Sequence, residues 1–249
     1  MNSKRINDMN QLPEVRTAEI LQRNYYEDTA ADYDAAHLEN GEGHELATHL
    51  LRAVLENHGC RSLLDVGAGT GRTLRILQSQ MKDVRMMGVE PVAGMRRIGH
   101  ENGISADVLV EGDATHLDFE DGSFDVVSAF GVLHHVEDPS VVLAEMLRVA
   151  KVGIFVSDAN RYGQGGWVVK RLKRVLYLLK LWKFVEKIRT GGKGYHQSEG
   201  DGVFYSYSVF DNFAQIRQKC PSIRIFTLVG TGVNPLFDSE QIGFFALKE

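Results

Sequence analysis

The sequence predicts an α/β chain built on a parallel sheet with helices over both faces. Three observations carry this. Short apolar runs at 62–66, 84–89, 106–110, 124–130 and 152–157 alternate with helical stretches near 71–80, 91–102 and 138–150, the rhythm of βαβ units. A glycine-rich turn, Asp65-Val-Gly-Ala-Gly-Thr-Gly71, joins the first run to the first of these helices. A length of 249 residues, 43% of them hydrophobic, suits one such domain with additions better than two independent ones.

The elements follow in order. Residues 12–58 read as helical, with Leu46, Leu50, Leu51, Val54 and Leu55 on one apolar face and Gly59 as the stop. They form an N-terminal helical cover, 1–58, ahead of the main domain, 59–249. After the fifth strand, 159–207 is glycine-rich at both ends and basic in the middle, too long for an ordinary connection and therefore a functional insert. A helix near 208–220 and two strands, 223–229 and 242–247, close the chain.

Composition excludes several functions. A net charge of −5 gives no general attraction to nucleic acid. Two cysteines, Cys60 and Cys220, are too few for a disulfide framework and point to a reducing compartment. The polar first residues lack the apolar core of a signal peptide, and no apolar run approaches the roughly 20 residues that span a bilayer. The expectation is a cytoplasmic protein.

The glycine turn lets backbone approach a ligand at the carboxyl edge of the sheet, where open α/β folds bind theirs. No lysine follows Gly71, so this is not a P-loop, and Gly67, Gly69 and Gly71 are spaced more closely than a dinucleotide fingerprint requires. Glu90, at the end of the second strand, can accept hydrogen bonds from both hydroxyls of a ribose. Asp113 can accept from an adenine amino group, and Asp65 would repel pyrophosphate but suit a cation. The implied cofactor carries adenosine and positive charge.

Four ordered segments extend the pattern: LLDVGAGTGRT at 63–73, GVEPVAGM at 88–95, VEGDATHLDFEDGSFDVV at 110–127 and FGVLHHVEDP at 130–139. Together they resemble the class I S-adenosylmethionine-dependent methyltransferases, in particular the branch of ubiquinone and menaquinone C-methyltransferases and small-molecule O-methyltransferases. The resemblance covers 25–158 and implies a Rossmann-like seven-stranded sheet of order 3-2-1-4-5-7-6 with the last strand antiparallel. It implies S-adenosyl-L-methionine as cofactor, leaving as S-adenosyl-L-homocysteine. In that pattern Gly67, Ala68, Gly69 and Gly71 wall the methionine part, Asp65 faces its amino group and Glu90 takes the ribose. Pro91 and Val92 meet the adenine edge, Asp113 and Ala114 its amino side, and Phe130, Gly131 and Val132 lie beneath the sulfonium. Tyr25 and Tyr33 would close over the cofactor from the helical cover.

Methyl transfer is an in-line displacement that gains from positioning and, for a hydroxyl acceptor, from a base. His134 and His135 follow strand four and Asp158 ends the neighbouring strand five, so imidazole and carboxylate can meet. The reading takes His135 as base, His134 as its substitute and Asp158 as orienter. A His pair here could instead only shape the cofactor pocket. Adjacent histidines on an extended segment point apart, and nothing in the spacing completes a metal site, so no metal is expected.

The stretch 167–189 carries eight cations against Glu186. Leu172, Val175, Leu176, Leu179 and Trp182 share one side of a helical wheel, with Lys170, Lys173, Arg174 and Lys180 largely opposite. A lid with its apolar face on the active site and its lysines in water is the plainer reading. A peripheral membrane contact serving a lipid-linked acceptor is the other. Beyond it, Tyr195, His196, Tyr205 and Tyr207 on a glycine-rich loop suit a small-molecule acceptor with many hydroxyls, such as a sugar.

Overall fold

A computed structural model describes residues 14–38, 42–230 and 234–248. The N-terminal cover is not one run of helix. It comprises α1 (Glu14–Thr29), the short α2 (Tyr33–Leu38) and α3 (Glu42–Asn57), with turns at 30–32 between the first two. The first two residues of the expected cover helix, 12 and 13, lie outside the described residues.

The domain then runs β1 (Ser62–Val66), α4 (Arg72–Gln80), β2 (Arg85–Val89), α5 (Ala93–Glu101), β3 (Leu109–Val110), β4 (Phe124–Phe130), α6 (Pro139–Val149) and β5 (Ala150–Ala159). The third strand is shorter than expected because 105–108 close a turn, with Val108 N–H donating to the Ser105 carbonyl. The insert forms α7 (Trp167–Leu178), α8 (Trp182–Arg189) and a hairpin of β6 (Tyr195–Ser198) and β7 (Gly202–Tyr205). Its last part is therefore an ordered two-stranded ribbon, not a flexible loop. After a short 3₁₀ turn the chain ends in α9 (Phe213–Lys219), β8 (Ser222–Gly230), α10 (Pro235–Asp238) and β9 (Ser239–Leu247).

The sheet order is β3-β2-β1-β4-β5-β9-β8, with β9 antiparallel to both neighbours. This is the seven-stranded order the resemblance implies, since β8 and β9 are its sixth and seventh strands. Side chains alternate across the sheet with period two, so consecutive residues feed opposite layers. Leu64, Val127, Ile154 and Phe244 pack with Val142, Leu143 and Met146 of α6 on one face. Leu63, Val126, Phe155 and Phe245 pack with Leu51 and Leu55 of α3 and Leu74 and Leu77 of α4 on the other. Both layers are buried, and this double core fixes the carboxyl ends of β1, β2, β4 and β5 as a platform.

The insert departs most from expectation. In α7 and at its C-cap the apolar side chains Leu172, Val175, Leu178 and Leu179 face solvent, while Lys173 and Arg174 are half-buried against the protein. Lys173 Nζ donates to the carbonyls of Arg161 and Gln164, and Arg174 pairs with Asp238 at 2.6 Å. The expected apolar face divides: Leu172, Val175 and Leu179 are exposed and Leu176 is half-buried, while Trp182 is buried and Lys180 is exposed, because the chain turns at Lys180 (φ 56°) between α7 and α8. The inward cations find carbonyls and carboxylates that leucines could not satisfy.

Candidate active site

The glycine turn leaves β1 with Gly67, Gly69 and Gly71 all at positive φ, a conformation costly for a residue with a Cβ. At Gly67 a Cβ would also sit 2.5 Å from Val132 Cγ2. Glu90 locks the turn to β2: its carboxylate accepts from Gly69 N–H and from Val92 N–H, each at 2.9 Å. Burial raises the Glu90 pKa against these two donors and Arg96.

A cavity of about 450 Å³ opens beside this turn. Gly67, Gly69, Glu90, Pro91, Asp113, Ala114, Phe130, Gly131 and Val132 line it, along with Tyr33 from α2. Burial alone would raise the Asp113 pKa, but Thr115 and Arg23 hold its carboxyl below the usual range. Asp113 therefore presents an ionised acceptor.

A second cavity, about 220 Å³, lies on the other side of the turn and shares Gly67, Gly69, Tyr33, Phe130 and His135 with the first. Asp65 is at its base, fully enclosed, with Ser128 Oγ donating to it at 2.7 Å. Burial pushes its pKa up to about 7 despite that bond. A buried carboxylate with one neutral partner is poised for a cation, which is what the amino group of a methionine moiety supplies. Ala68 lines this second cavity. Gly71 lines neither; at φ 71° it caps α4.

Tyr25 is outside both cavities, its hydroxyl donating to the Glu199 carbonyl at 2.9 Å. Its neighbour Tyr26, which sequence reasoning missed, reaches both, as Tyr33 does. On α1 adjacent residues point about 100° apart, and only contacts across the fold decide which of two tyrosines faces inward.

The two histidines divide differently from expectation. They lie on a 3₁₀ turn, Leu133–His135, not on an extended segment, so their rings come within 3.9 Å. Asp158 pairs with His134, Oδ1 to Nδ1 at 2.7 Å, and not with His135. Burial opposes charge on His134, but Asp158 and Asp201 raise its pKa well above the ordinary value. His135 goes the other way, lowered first by burial and then by the charge on His134. Its Nδ1 faces the Val203 carbonyl at 2.7 Å, which can only accept, so Nδ1 carries the hydrogen and Nε2 accepts from the Tyr26 hydroxyl at 2.8 Å. His134, His135 and Asp201 place ligand-type atoms within 4.8 Å of one another. The argument that adjacent histidines point apart therefore fails, but two carboxylates on His134 favour an imidazolium over a metal ligand.

Of the acceptor candidates, Tyr205 lines the large cavity, while His196 and Tyr207 line a third one beyond His134 together with Tyr205. Tyr195 lines none of the three. His196 pairs with Glu186.

Comparison with known proteins agrees with this geometry. Residues 64–156 match the family described as a methyltransferase domain. A ubiquinone biosynthesis O-methyltransferase of Pectobacterium atrosepticum is 31% identical over 125 residues, 49% of this chain and 51% of that one. A demethylmenaquinone methyltransferase of Roseiflexus castenholzii is 41% identical over 96 residues, 38% and 40% of the two chains. The chain thus spans about half, or less, of the curated relatives it matches. Among solved structures, a possible histamine N-methyltransferase of Thermotoga maritima superposes with a TM-score of 0.62 at 17% identity, covering 91% of this chain and 99% of the other. Magnesium protoporphyrin IX methyltransferase of Synechocystis, solved with bound S-adenosylhomocysteine, gives 0.59 at 15% identity over 93% and 100%. Residues 64–156 thus carry a match to a methyltransferase domain, and the sheet order and superposition give the chain the Rossmann-like fold of S-adenosylmethionine-dependent methyltransferases. S-adenosylmethionine is the cofactor of such enzymes, and Asp65, Glu90 and Asp113 would be the acceptors for its amino group, ribose and adenine in turn.

Proposed function

We propose that this protein moves a methyl group from S-adenosylmethionine to a hydroxyl of a small-molecule, sugar or lipid-linked acceptor. The observation that carries the hydroxyl reading is the His134–Asp158 pair at 2.7 Å, on the boundary between the cofactor side and the third cavity. Asp158 holds Nδ1, so the acceptor hydroxyl would meet Nε2, where it would replace the longer contact to Asp201 Oδ2 at 3.5 Å. With a sulfonium charge in the same space, the His134 imidazolium releases its Nε2 proton to water more readily, and the neutral ring so formed can take the proton of a hydroxyl. His135, held neutral and bonded to Tyr26, then acts as a positioning group. A dry site aligned by the glycine turn supplies the rest of the rate.

A lipid-linked acceptor and a peripheral membrane contact are supported by the outward apolar face of α7 and α8. Trp167, Leu178 and Phe184 are 69%, 75% and 65% exposed, with Arg171, Lys180, Lys183 and Lys187 also exposed around them. Among the described residues no helix is long and apolar enough to cross a membrane. Apolar side chains outward with cations among them suit an anionic lipid surface.

The test is transfer of label from S-adenosylmethionine into an extract of the producing cells, split into organic and aqueous phases, with Asp65→Ala as the control. Label in either phase, absent from the control, supports methyl transfer, and the organic phase supports the lipid-linked acceptor. Cofactor binding with no labelled product in extracts known to contain the acceptor would favour a non-catalytic binder.

A further inference from the structure

The third cavity, about 350 Å³, lies beyond His134 as seen from the glycine turn. Its walls bring together Arg161 from the end of β5, Lys173 from α7 and Arg189 from α8, with Trp182 and Tyr205 as aromatic surfaces. Asp201 is the one carboxylate among the residues that line it. The cations arrive there because α7 is turned with its basic side inward, an orientation that gives up the burial of four leucines and valines.

Counter-charge behind the wall is thin. Arg161 is matched by Asp211. Glu186 serves both His196 and Arg189, the latter at 3.3 Å. Lys173 meets two carbonyls, and among the described residues no carboxylate comes within ion-pair distance of it. Burial, then Arg189 and Arg161, push its ammonium pKa down, the response of a cation short of negative charge. The Trp182 ring supports the two inner cations, with Arg161 Cζ 5.6 Å and Lys173 Nζ 5.9 Å from its centroid. An open space with cations on three sides is a receptor for an anion.

We propose that this cavity receives an anionic group of the methyl acceptor, a phosphate or a carboxylate, with Lys173 and Arg189 as its charge partners. An aromatic or sugar body would then lie against Tyr205 and direct its hydroxyl to His134. The anion site stands on the cavity itself, and its assignment to the acceptor rests on the methyl-transfer reading above.

The test uses the full chain with Trp167→Phe, so that Trp182 is the sole tryptophan. Phenyl phosphate, benzoate and neutral phenol are titrated while Trp182 emission is followed. Vesicles of phosphatidylcholine with and without phosphatidic acid form a separate arm, and S-adenosylhomocysteine binding is measured on every variant. The expected result is a saturable change with at least one anion and none with phenol, weakened about tenfold or more by Lys173→Gln and by Arg189→Gln at unchanged S-adenosylhomocysteine affinity. Response to a soluble anion assigns the group to a free acceptor; response only to vesicles with phosphatidic acid assigns it to a lipid headgroup. The proposal is overturned if no anion in either arm perturbs Trp182, or if both variants bind like the parent. Arg189 is half exposed, so Arg189→Gln remains informative if Lys173→Gln does not fold. Loss of S-adenosylhomocysteine binding by the parent, with anion binding intact, would instead remove the methyl-transfer reading and leave the site.

Discussion

The Tyr26 hydroxyl lies 2.8 Å from His135 Nε2 and joins the helical cover to the 3₁₀ turn after β4. Both groups are deeply buried, and burial raises the tyrosine pKa well above its ordinary value. The bond therefore ties a neutral phenol to a neutral imidazole. Tyr26→Phe keeps the ring over the cavities but leaves Nε2 without a donor, at a cost of about 1–3 kcal/mol. Thermal melting should show that loss while S-adenosylhomocysteine affinity stays within about twofold. Turnover should fall by about tenfold, since His135 loses the contact that sets it against the acceptor side. Unchanged turnover would mean the pair is only structural.

Asp65 sets opposite demands on binding and stability. Its carboxyl is held near pH 7 in the folded chain, against an ordinary value of 3.8. Between those values the native state binds the extra proton, so this group's contribution to stability falls as pH rises and is smallest above pH 7. Asp65→Asn keeps an acceptor for Ser128 and removes the titration. It should stabilise the cofactor-free protein at pH 8 by up to about 4 kcal/mol. It should also weaken S-adenosylmethionine binding sharply, because the charge facing the amino group is gone. Wild-type affinity should rise with pH up to about 7 and level off, while the variant shows no such step. Melting curves and cofactor titrations at pH 6 and pH 8 check both halves.

Gly59 and Gly67 share nearly the same backbone, φ 60° and 65°, but not the same surroundings. A Cβ at Gly59 meets nothing within 4 Å, whereas at Gly67 it collides with Val132. Gly59→Ala should cost about 1 kcal/mol from the backbone alone. Gly67→Ala should cost about 1–3 kcal/mol more and move the turn away from the cofactor. Urea denaturation of the two variants separates the terms, and only the second should lose S-adenosylhomocysteine binding.

The sheet was legible because its signals are local. Apolar runs of five to seven residues, glycines at the first turn and carboxylates at strand ends sit next to one another in the chain, and each constrains its own backbone. Misreadings arose where the answer depends on contacts between distant segments. Asp158 could have met either histidine; the 3₁₀ turn, set by Leu133 N–H donating to Asp158 Oδ2 at 2.8 Å, decides for His134. Tyr25 and Tyr26 differ only in which one the β6–β7 hairpin draws outward. The helical wheel ran one helix through to Trp182, although the chain turns at Lys180 and buries that ring, and it could not say which side of α7 is inward. That was decided by Asp238 and by the carbonyls of Arg161 and Gln164, which sit where only cations satisfy them.

The outward face of α7 and α8 carries the last prediction. Leu178 and Phe184 are among the most exposed apolar side chains in the described chain, and neither has packing to lose. Leu178→Glu with Phe184→Glu should therefore leave the melting temperature within a degree or two. A membrane role predicts that wild-type protein floats with vesicles containing anionic lipid, less so at high salt, because part of the attraction is between Lys180, Lys183 and Lys187 and the headgroups. The double variant should stay with the soluble fraction at every salt concentration. Turnover on a water-soluble acceptor should be unchanged in the variant, while turnover on an acceptor presented in vesicles should fall in parallel with flotation. Equal flotation of both proteins would remove the membrane role and leave the exposed face to a protein partner, which size-exclusion chromatography of the wild type would reveal as a second copy that the glutamates dissociate.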